Sequence, residues 1–140
     1  MKNILIFAVL LLIISGCAQY QKPVYAGNID WIKDFTQGAQ AAQEQNKPIL
    51  IDFYTTWCGW CKELDKNTYS DEKVAEFTQK FICIKIDADQ YPDLAKEYQV
   101  RGFPTTTFLK SDRSLIKSVP GYMPPDKFLK LLKEIFASIK

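Results

Sequence analysis

The chain has 140 residues, which is enough for one domain and leaves little for a second. Hydrophobic residues make up 47% and charged residues 24%, proportions typical of a globular protein and not of a disordered one. The formal net charge is +2 and no block of basic residues occurs, so the sequence gives no indication of nucleic-acid binding.

The first residues have the layout of an export signal. Lys2 is positively charged, residues 4–14 form an uncharged apolar run, and small residues follow. The run is too short to cross a bilayer comfortably as a helix. Residues 14–17, Ile-Ser-Gly-Cys, resemble the lipobox of bacterial lipoproteins, which implies that Cys17 receives a diacylglyceryl group and becomes the N-terminus after cleavage. The alternatives are an ordinary signal cleaved near a cysteine and an uncleaved anchor.

We therefore divide the chain into a signal peptide of residues 1–16, a lipidated tether of residues 17–28 and a domain of residues 29–140. Two or more acyl chains hold a protein stably on a membrane. We expect an exported protein, anchored to a bacterial membrane, whose domain faces the periplasm or the cell exterior. Ala18 follows the lipid cysteine, which favours sorting to the outer membrane where two membranes are present.

The domain alternates between helical and strand patterns. A first helix is predicted to begin at Trp31 with Asp30 as its cap and to end before Pro48. The elements that follow are a strand at 49–54, helices at 58–67 and 71–79, a strand at 81–86, a helix at 92–98, strands at 105–109 and 115–119, and a helix opened by Pro124 and Pro125. A parallel β-α-β unit followed by a hairpin and a helix predicts an α/β fold with a mixed sheet covered on both sides.

Cys58 and Cys61 form a CxxC pair. Residues three apart on a helix lie on one face, one turn apart. If Cys58 begins its helix, backbone N–H groups and the helix dipole stabilise its thiolate, whereas Cys61 lies further in. Cys58 would attack a substrate disulfide, and Cys61 would attack the resulting mixed disulfide and release the reduced substrate. The reverse sequence oxidises a dithiol.

Three other uses of a CxxC pair are disfavoured. A zinc site needs further ligands, and the sequence has no histidine and no second cysteine pair. A haem attachment site needs histidine after Cys61, where Lys62 stands. A structural disulfide across so short a loop stabilises little, since stabilisation grows with loop length. We therefore predict no metal and no cofactor beyond the Cys58–Cys61 disulfide.

Several stretches of the domain resemble the thioredoxin family. Residues 51–62, IDFYTTWCGWCK, resemble its active-site strand and helix start. Residues 85–92, KIDADQYP, and 100–105, VRGFPT, resemble its third strand through its cis-proline loop. Residues 62–77 contain the stretch Thr-Tyr-Ser-Asp at 68–71 and a helix that is added to the pattern of cytosolic thioredoxin. This part resembles the periplasmic C-terminal domain of the membrane electron transporter DsbD and small exported thioredoxin-like proteins. The resemblance implies a thioredoxin fold, with a mixed central sheet flanked by helices on both faces.

The resemblance also implies roles for two charged residues. Asp52 matches the buried acid of the family, and a carboxyl in an apolar strand should have a raised pKa. It could take the proton of Cys61, directly or through a water, and the alternative is a core aspartate with its hydrogen bonds satisfied. Lys85 matches the lysine beside this acid, and either pairs with Asp52 or extends to the surface.

Five residues are implied to contact substrate. Pro104 matches the family's cis-proline, which exposes the backbone of Phe103 to pair with an extended substrate segment. Trp57, Gly59 and Trp60 adjoin the cysteines. Trp60 stands where cytosolic thioredoxin has proline, so the reduction potential does not carry over. We expect Trp60 to form a docking surface with Trp57 or to pack against loop residues.

Cys83 lies in a predicted strand and is interpreted as a small core residue.

We predict a thiol–disulfide oxidoreductase of the bacterial cell envelope that reduces protein disulfides through Cys58 and Cys61. A dithiol oxidase of exported proteins and a non-catalytic thioredoxin-like binding or chaperone module are the alternatives. The expected partners are exported protein thiols and disulfides and a membrane-embedded electron donor of DsbD type. We expect a monomer, held at the membrane by its lipid anchor.

Overall fold

The computed structural model describes residues 28–139. The predicted signal peptide, Cys17 and all but the last residue of the predicted tether lie outside the described residues. Within residues 28–139, the helices are too short or too polar to cross a bilayer.

The described residues form one mixed sheet of four strands in the order β2-β1-β3-β4. The strands are β1 (Ile49–Tyr54), β2 (Ile82–Asp87), β3 (Thr105–Leu109) and β4 (Leu115–Pro120). β1 runs parallel to β2 and antiparallel to β3, which pairs antiparallel with β4. The predicted mixed α/β sheet is therefore confirmed, with β1 at its centre and almost wholly buried.

Helices cover both faces of this sheet. They are α1 (Phe35–Gln45), α2 (Gly59–Glu63), α3 (Glu72–Thr78), α4 (Pro92–Glu97) and α5 (Pro125–Ser138), with a π-helical segment at Leu64–Tyr69. Successive residues of a strand point to opposite faces. Leu50 accordingly packs in one apolar cluster with α3, α5 and the π-helical segment, whereas Ile49 and Ile51 pack in another with α1 and α4.

The first helix begins at Phe35, so the predicted start at Trp31 is wrong. Ile32 instead bridges Ile84 in parallel fashion, with its N–H donating to the Cys83 carbonyl at 2.9 Å. Because this pairing keeps the chain extended beside β2, the helix begins only at Phe35. Asp34, not Asp30, is the N-cap, and its carboxylate accepts the Gln37 N–H at 2.7 Å.

The predicted helix at 58–67 is divided into α2 and the π-helical segment. π-Helical turns are rare and occur frequently at functional sites. Here the segment buries Thr68 and Tyr69, and the Thr68 hydroxyl donates to the Met123 carbonyl at 2.6 Å. The segment thus ties the active-site helix to the loop before α5.

Candidate active site

Cys58 and Cys61 form a disulfide at the start of α2, with their Cα atoms 5.3 Å apart. Cys58 is the N-cap, just outside the helix, and its Sγ accepts the Cys61 N–H at 3.1 Å. Both side chains are about 5% exposed or less. The N-cap position gives the sulfur of Cys58 the unpaired N–H groups that stabilise a thiolate, whereas Cys61 lies within the first turn.

Two exposed tryptophans flank this disulfide. Trp57 is 68% exposed, donates from Nε1 to an Asp89 carboxylate oxygen at 2.9 Å and meets the Phe103 ring edge-on with centroids 6.0 Å apart. Trp60 is 63% exposed, and its ring centroid lies 5.6 Å from that of Tyr122. Trp60 is therefore exposed and also packs against a loop residue, and its role in a docking surface with Trp57 stays a prediction.

The loop before β3 reaches the same side of the molecule. The Phe103–Pro104 peptide bond is cis, and the Pro104 carbonyl accepts the Gly121 N–H at 2.7 Å. Gly121 has a φ of +93°, which side chains other than glycine rarely adopt. A Cβ on Gly59 would meet no atom within 4 Å, so open space surrounds the backbone between the cysteines.

Asp52 and Lys85 lie side by side on the parallel strands β1 and β2. Lys85 Nζ is 2.8 Å from Asp52 Oδ2 and also contacts the Asp65 carboxylate. Burial raises the pKa of Asp52 more than the ammonium of Lys85 lowers it. Burial alone would lower the pKa of Lys85, but the two carboxylates raise it above its ordinary value. The Lys85 ammonium therefore lies beside a buried carboxyl whose pKa is raised.

Sequence reasoning missed two residues that contact Lys85 from the π-helical segment. Asp65 supplies the second carboxylate, and Tyr69 places its ring centroid 5.2 Å from Lys85 Nζ. The rings of Trp31 and Tyr54 lie 5.1 Å from the same nitrogen. The four-residue spacing places Asp65 on the Cys61 face of the predicted helix, but it gives no sign of contact with Lys85 on β2.

A cleft of about 350 Å³, lined in part by Trp31, Asp65, Tyr69 and Lys85, opens beside this ion pair. Lys85 and Asp65 line the cleft, whereas Asp52 is 1% exposed and does not line it.

Cys83 lies apart from the redox pair in the apolar cluster beneath α3 and α5. Its thiol is free and buried, and it donates to the Thr78 carbonyl at 3.7 Å. Burial raises its pKa to about 12, so the thiol stays protonated near neutral pH. This agrees with its interpretation as a core residue. Across residues 28–139, no three of the histidine, cysteine and acidic side chains are grouped so that they could hold a metal ion.

Comparisons with known proteins bear on this geometry. The family described as "Thioredoxin-like domain" matches residues 35–136. The thiol:disulfide interchange protein DsbD of Campylobacter jejuni strain RM1221 is 33% identical over 113 residues, which cover 78% of this chain and 20% of the relative. The chain thus spans about a fifth of the length of that relative.

Two further proteins are similar over nearly their whole length. The thioredoxin of Mycoplasmoides gallisepticum is 33% identical over 104 residues, 73% of this chain and all of the relative. The solved structure of the oxidised C-terminal domain of Neisseria meningitidis DsbD superposes with a TM-score of 0.66 at 26% identity and covers 74% of this chain and 97% of that domain. These likenesses confirm the predicted thioredoxin fold.

Proposed function

The chain belongs to the family of thioredoxin-like domains and is a thiol–disulfide oxidoreductase, and from this premise we propose that it reduces protein disulfides in the bacterial cell envelope. The observation that carries the proposal is the position of Cys58. It caps α2 between two exposed tryptophans, while Cys61 lies behind it within the helix. Similarity to DsbD, a thiol:disulfide interchange protein, supports exchange between thiols and disulfides, and the reducing direction is part of the proposal.

The reaction proceeds in two exchanges that conserve electrons. The Cys58 thiolate attacks one sulfur of a substrate disulfide, a Cys58–substrate disulfide forms and the other substrate sulfur leaves as a thiolate. Asp52 then takes the proton of Cys61, whose thiolate attacks Cys58. The Cys58–Cys61 disulfide forms and the remaining substrate sulfur leaves. Two electrons have passed from the protein to the substrate.

The substrate is held beside the sulfurs by the surrounding loops. The backbone of Phe103, next to Pro104, pairs with an extended substrate segment, and Trp57 and Trp60 supply apolar contact on either side of Gly59. The substrates are exported proteins with disulfides. A membrane-embedded donor of DsbD type returns the electrons, because export separates the protein from cytosolic reductants. The protein acts as a monomer, anchored through Cys17 with its domain in the periplasm or outside the cell.

The reduction potential of the Cys58–Cys61 pair, measured by equilibration with glutathione redox buffers, tests the direction. We expect a value nearer the thioredoxin value of about −270 mV than the oxidase value of about −120 mV. A potential near the oxidase value would support the dithiol oxidase instead.

Insulin reduction tests whether the domain is catalytic. We expect turnover by the wild type and by Cys83→Ser, a matched variant that removes a thiol outside the redox pair, and none by Cys58→Ser. Absence of turnover by the wild type would favour a non-catalytic binding or chaperone module.

A further inference from the structure

Within residues 28–139, only one of the two carboxylate oxygens of Asp52 has a hydrogen-bond partner. Oδ2 is bound by Lys85, whereas Oδ1 is buried and has no hydrogen-bond partner among the described residues. A buried carboxylate oxygen without a donor costs free energy when the group is ionised. A hydrogen-bond donor at Oδ1 would therefore stabilise the ionised Asp52 that accepts a proton from Cys61.

The hydroxyl of Tyr69 is the candidate for that donor. It is buried and lies 3.5 Å from Oγ1 of Thr106, the residue of β3 directly opposite Asp52. That distance is at the outer limit of a hydrogen bond, so the Tyr69 proton is only weakly engaged by Thr106. Burial raises the pKa of Asp52, and the nearby Tyr69 hydroxyl acts in the opposite direction, as a donor to the carboxylate would.

The ring of Tyr69 is held in a fixed position. Trp31 and Phe128 meet it edge-on with centroid distances of 5.0 and 5.6 Å. Its face also contacts Lys85 Nζ at 5.2 Å. The phenol therefore has its ring against the Lys85 cation and its hydroxyl next to Thr106, the residue opposite Asp52.

We propose that Tyr69 is a positioning residue for the redox reaction, whose hydroxyl donates to Asp52 Oδ1 and stabilises the carboxylate that takes the proton of Cys61. The inference rests on the proposed role of Asp52 as the base. When Asp52 is protonated, the Tyr69 hydroxyl turns to Thr106, and when Asp52 is ionised it turns to Oδ1. Tyr69 itself transfers no proton, since burial and the nearby carboxylate raise its pKa well above the ordinary value.

The charged and titratable groups around Asp52 come from three elements. Lys85 comes from β2, Asp65 and Tyr69 come from the π-helical segment, and Tyr54 comes from β1 itself. β3 contributes Thr106, which does not titrate. A test must therefore distinguish the effect of the Tyr69 hydroxyl on the pKa of Asp52 from an effect that acts through Lys85.

The test compares Tyr69→Phe with Tyr54→Phe in the reduced, full-length protein. Both variants remove a hydroxyl from a ring that contacts Lys85, but only Tyr69 has its hydroxyl beside Thr106. The Asp52 carboxyl carbon is followed by NMR against pH and assigned by its loss in Asp52→Asn. We expect the midpoint to rise in Tyr69→Phe and to stay at the wild-type value in Tyr54→Phe. Equal midpoints in wild type and Tyr69→Phe would overturn the proposal.

A kinetic measurement accompanies the titration. Resolution of a preformed Cys58 mixed disulfide should be roughly two- to tenfold slower in Tyr69→Phe near neutral pH, and equal to wild type at pH values above both midpoints. If wild-type resolution does not follow the Asp52 titration, the base role of Asp52 fails, while the midpoint comparison still decides the role of Tyr69.

If Tyr69→Phe does not fold, the wild type still decides the question. The Tyr69 ring carbon that bears the hydroxyl should shift with the Asp52 midpoint, because its hydrogen bond changes partner there. A signal that stays constant through the Asp52 titration would overturn the proposal.

Discussion

Cys58 and Cys61 are both nearly buried, yet they occupy unlike positions on α2. Because Cys58 caps the helix and Cys61 lies inside it, we expect Cys58 alone to attack substrates and Cys61 alone to resolve them. In Cys61→Ser, mixed disulfides with envelope proteins should accumulate on non-reducing gels and disappear with reductant. Cys58→Ser should trap almost nothing. Equal trapping by the two variants would contradict the assignment of attack to Cys58 and resolution to Cys61.

Cys83→Ser is the control for that experiment. Burial raises the pKa of Cys83 to about 12, so its thiol is not a nucleophile near neutral pH. Cys83→Ser should accumulate no more mixed disulfides than the wild type and should reduce insulin at the wild-type rate. Loss of activity with an intact fold would replace the two-cysteine scheme with a three-cysteine relay.

Asp52 links the redox site to stability. Its pKa is raised in the folded state by burial, above the ordinary value of 3.8, so the folded protein holds this proton more tightly than the unfolded chain does. The stability that this group contributes is therefore complete below pH 3.8 and is lost as the pH rises through the folded pKa. Relative to wild type, Asp52→Asn should gain unfolding free energy as the pH rises from acid to neutral, measured by urea titration. A constant difference across that range would contradict the prediction.

At the scale of the elements, α1 packs on β2 through a glycine. A Cβ on Gly38 would lie 2.4 Å from Cδ1 and 2.6 Å from Cγ1 of Ile84, which is fully buried. Gly38→Ala gains about 1 kcal/mol of helix propensity but incurs overpacking of about 1–3 kcal/mol. We expect a net loss of about 1 kcal/mol in unfolding free energy, measured by denaturant titration.

A double-mutant cycle identifies the cause of that loss. Ile84→Val removes Cδ1 and leaves Cγ1, so the cost of Gly38→Ala should be smaller in that background but not zero. If the cost is the same in both backgrounds, contact with Ile84 is not the reason for it.

The regular elements could be predicted from the sequence, and their irregular junctions could not. The strand β3 has its predicted bounds because its apolar and β-branched run is continuous. The start of α1 was predicted too early because Asp30 fits a helix cap before Trp31, while the bridge from Ile32 to Ile84 depends on a strand far along the chain. The π-helical turn likewise has no periodic signature.

At the scale of the whole molecule, residues distant in sequence meet at the ends of the central strands. Proximity of Cys58 and Cys61 follows from their spacing alone. The pairing of Asp52 with Lys85 and the cis peptide bond before Pro104 followed only from resemblance to a family, because neither can be deduced from the local sequence. The contacts of Asp65 and Tyr69 with Lys85 were missed because they depend on the π-helical turn.

Placement of the whole protein in the cell is predicted to depend on Cys17, which lies outside the described residues and directly after the predicted signal. Cys17 is not one of the two cysteines of the redox pair. Cys17→Ser should therefore reduce insulin like the wild type in solution, but it should leave the membrane fraction and lack the mass of the acyl groups. Where the anchor and the donor share one membrane, the tether also raises the effective concentration of the domain near that donor. In cells, the Cys58–Cys61 pair of Cys17→Ser should accordingly be more oxidised than in wild type or in Cys83→Ser, as measured by thiol alkylation. Unchanged fractionation together with unchanged intact mass would refute lipidation at Cys17, whereas loss of the anchor without a change in redox state would refute the membrane donor.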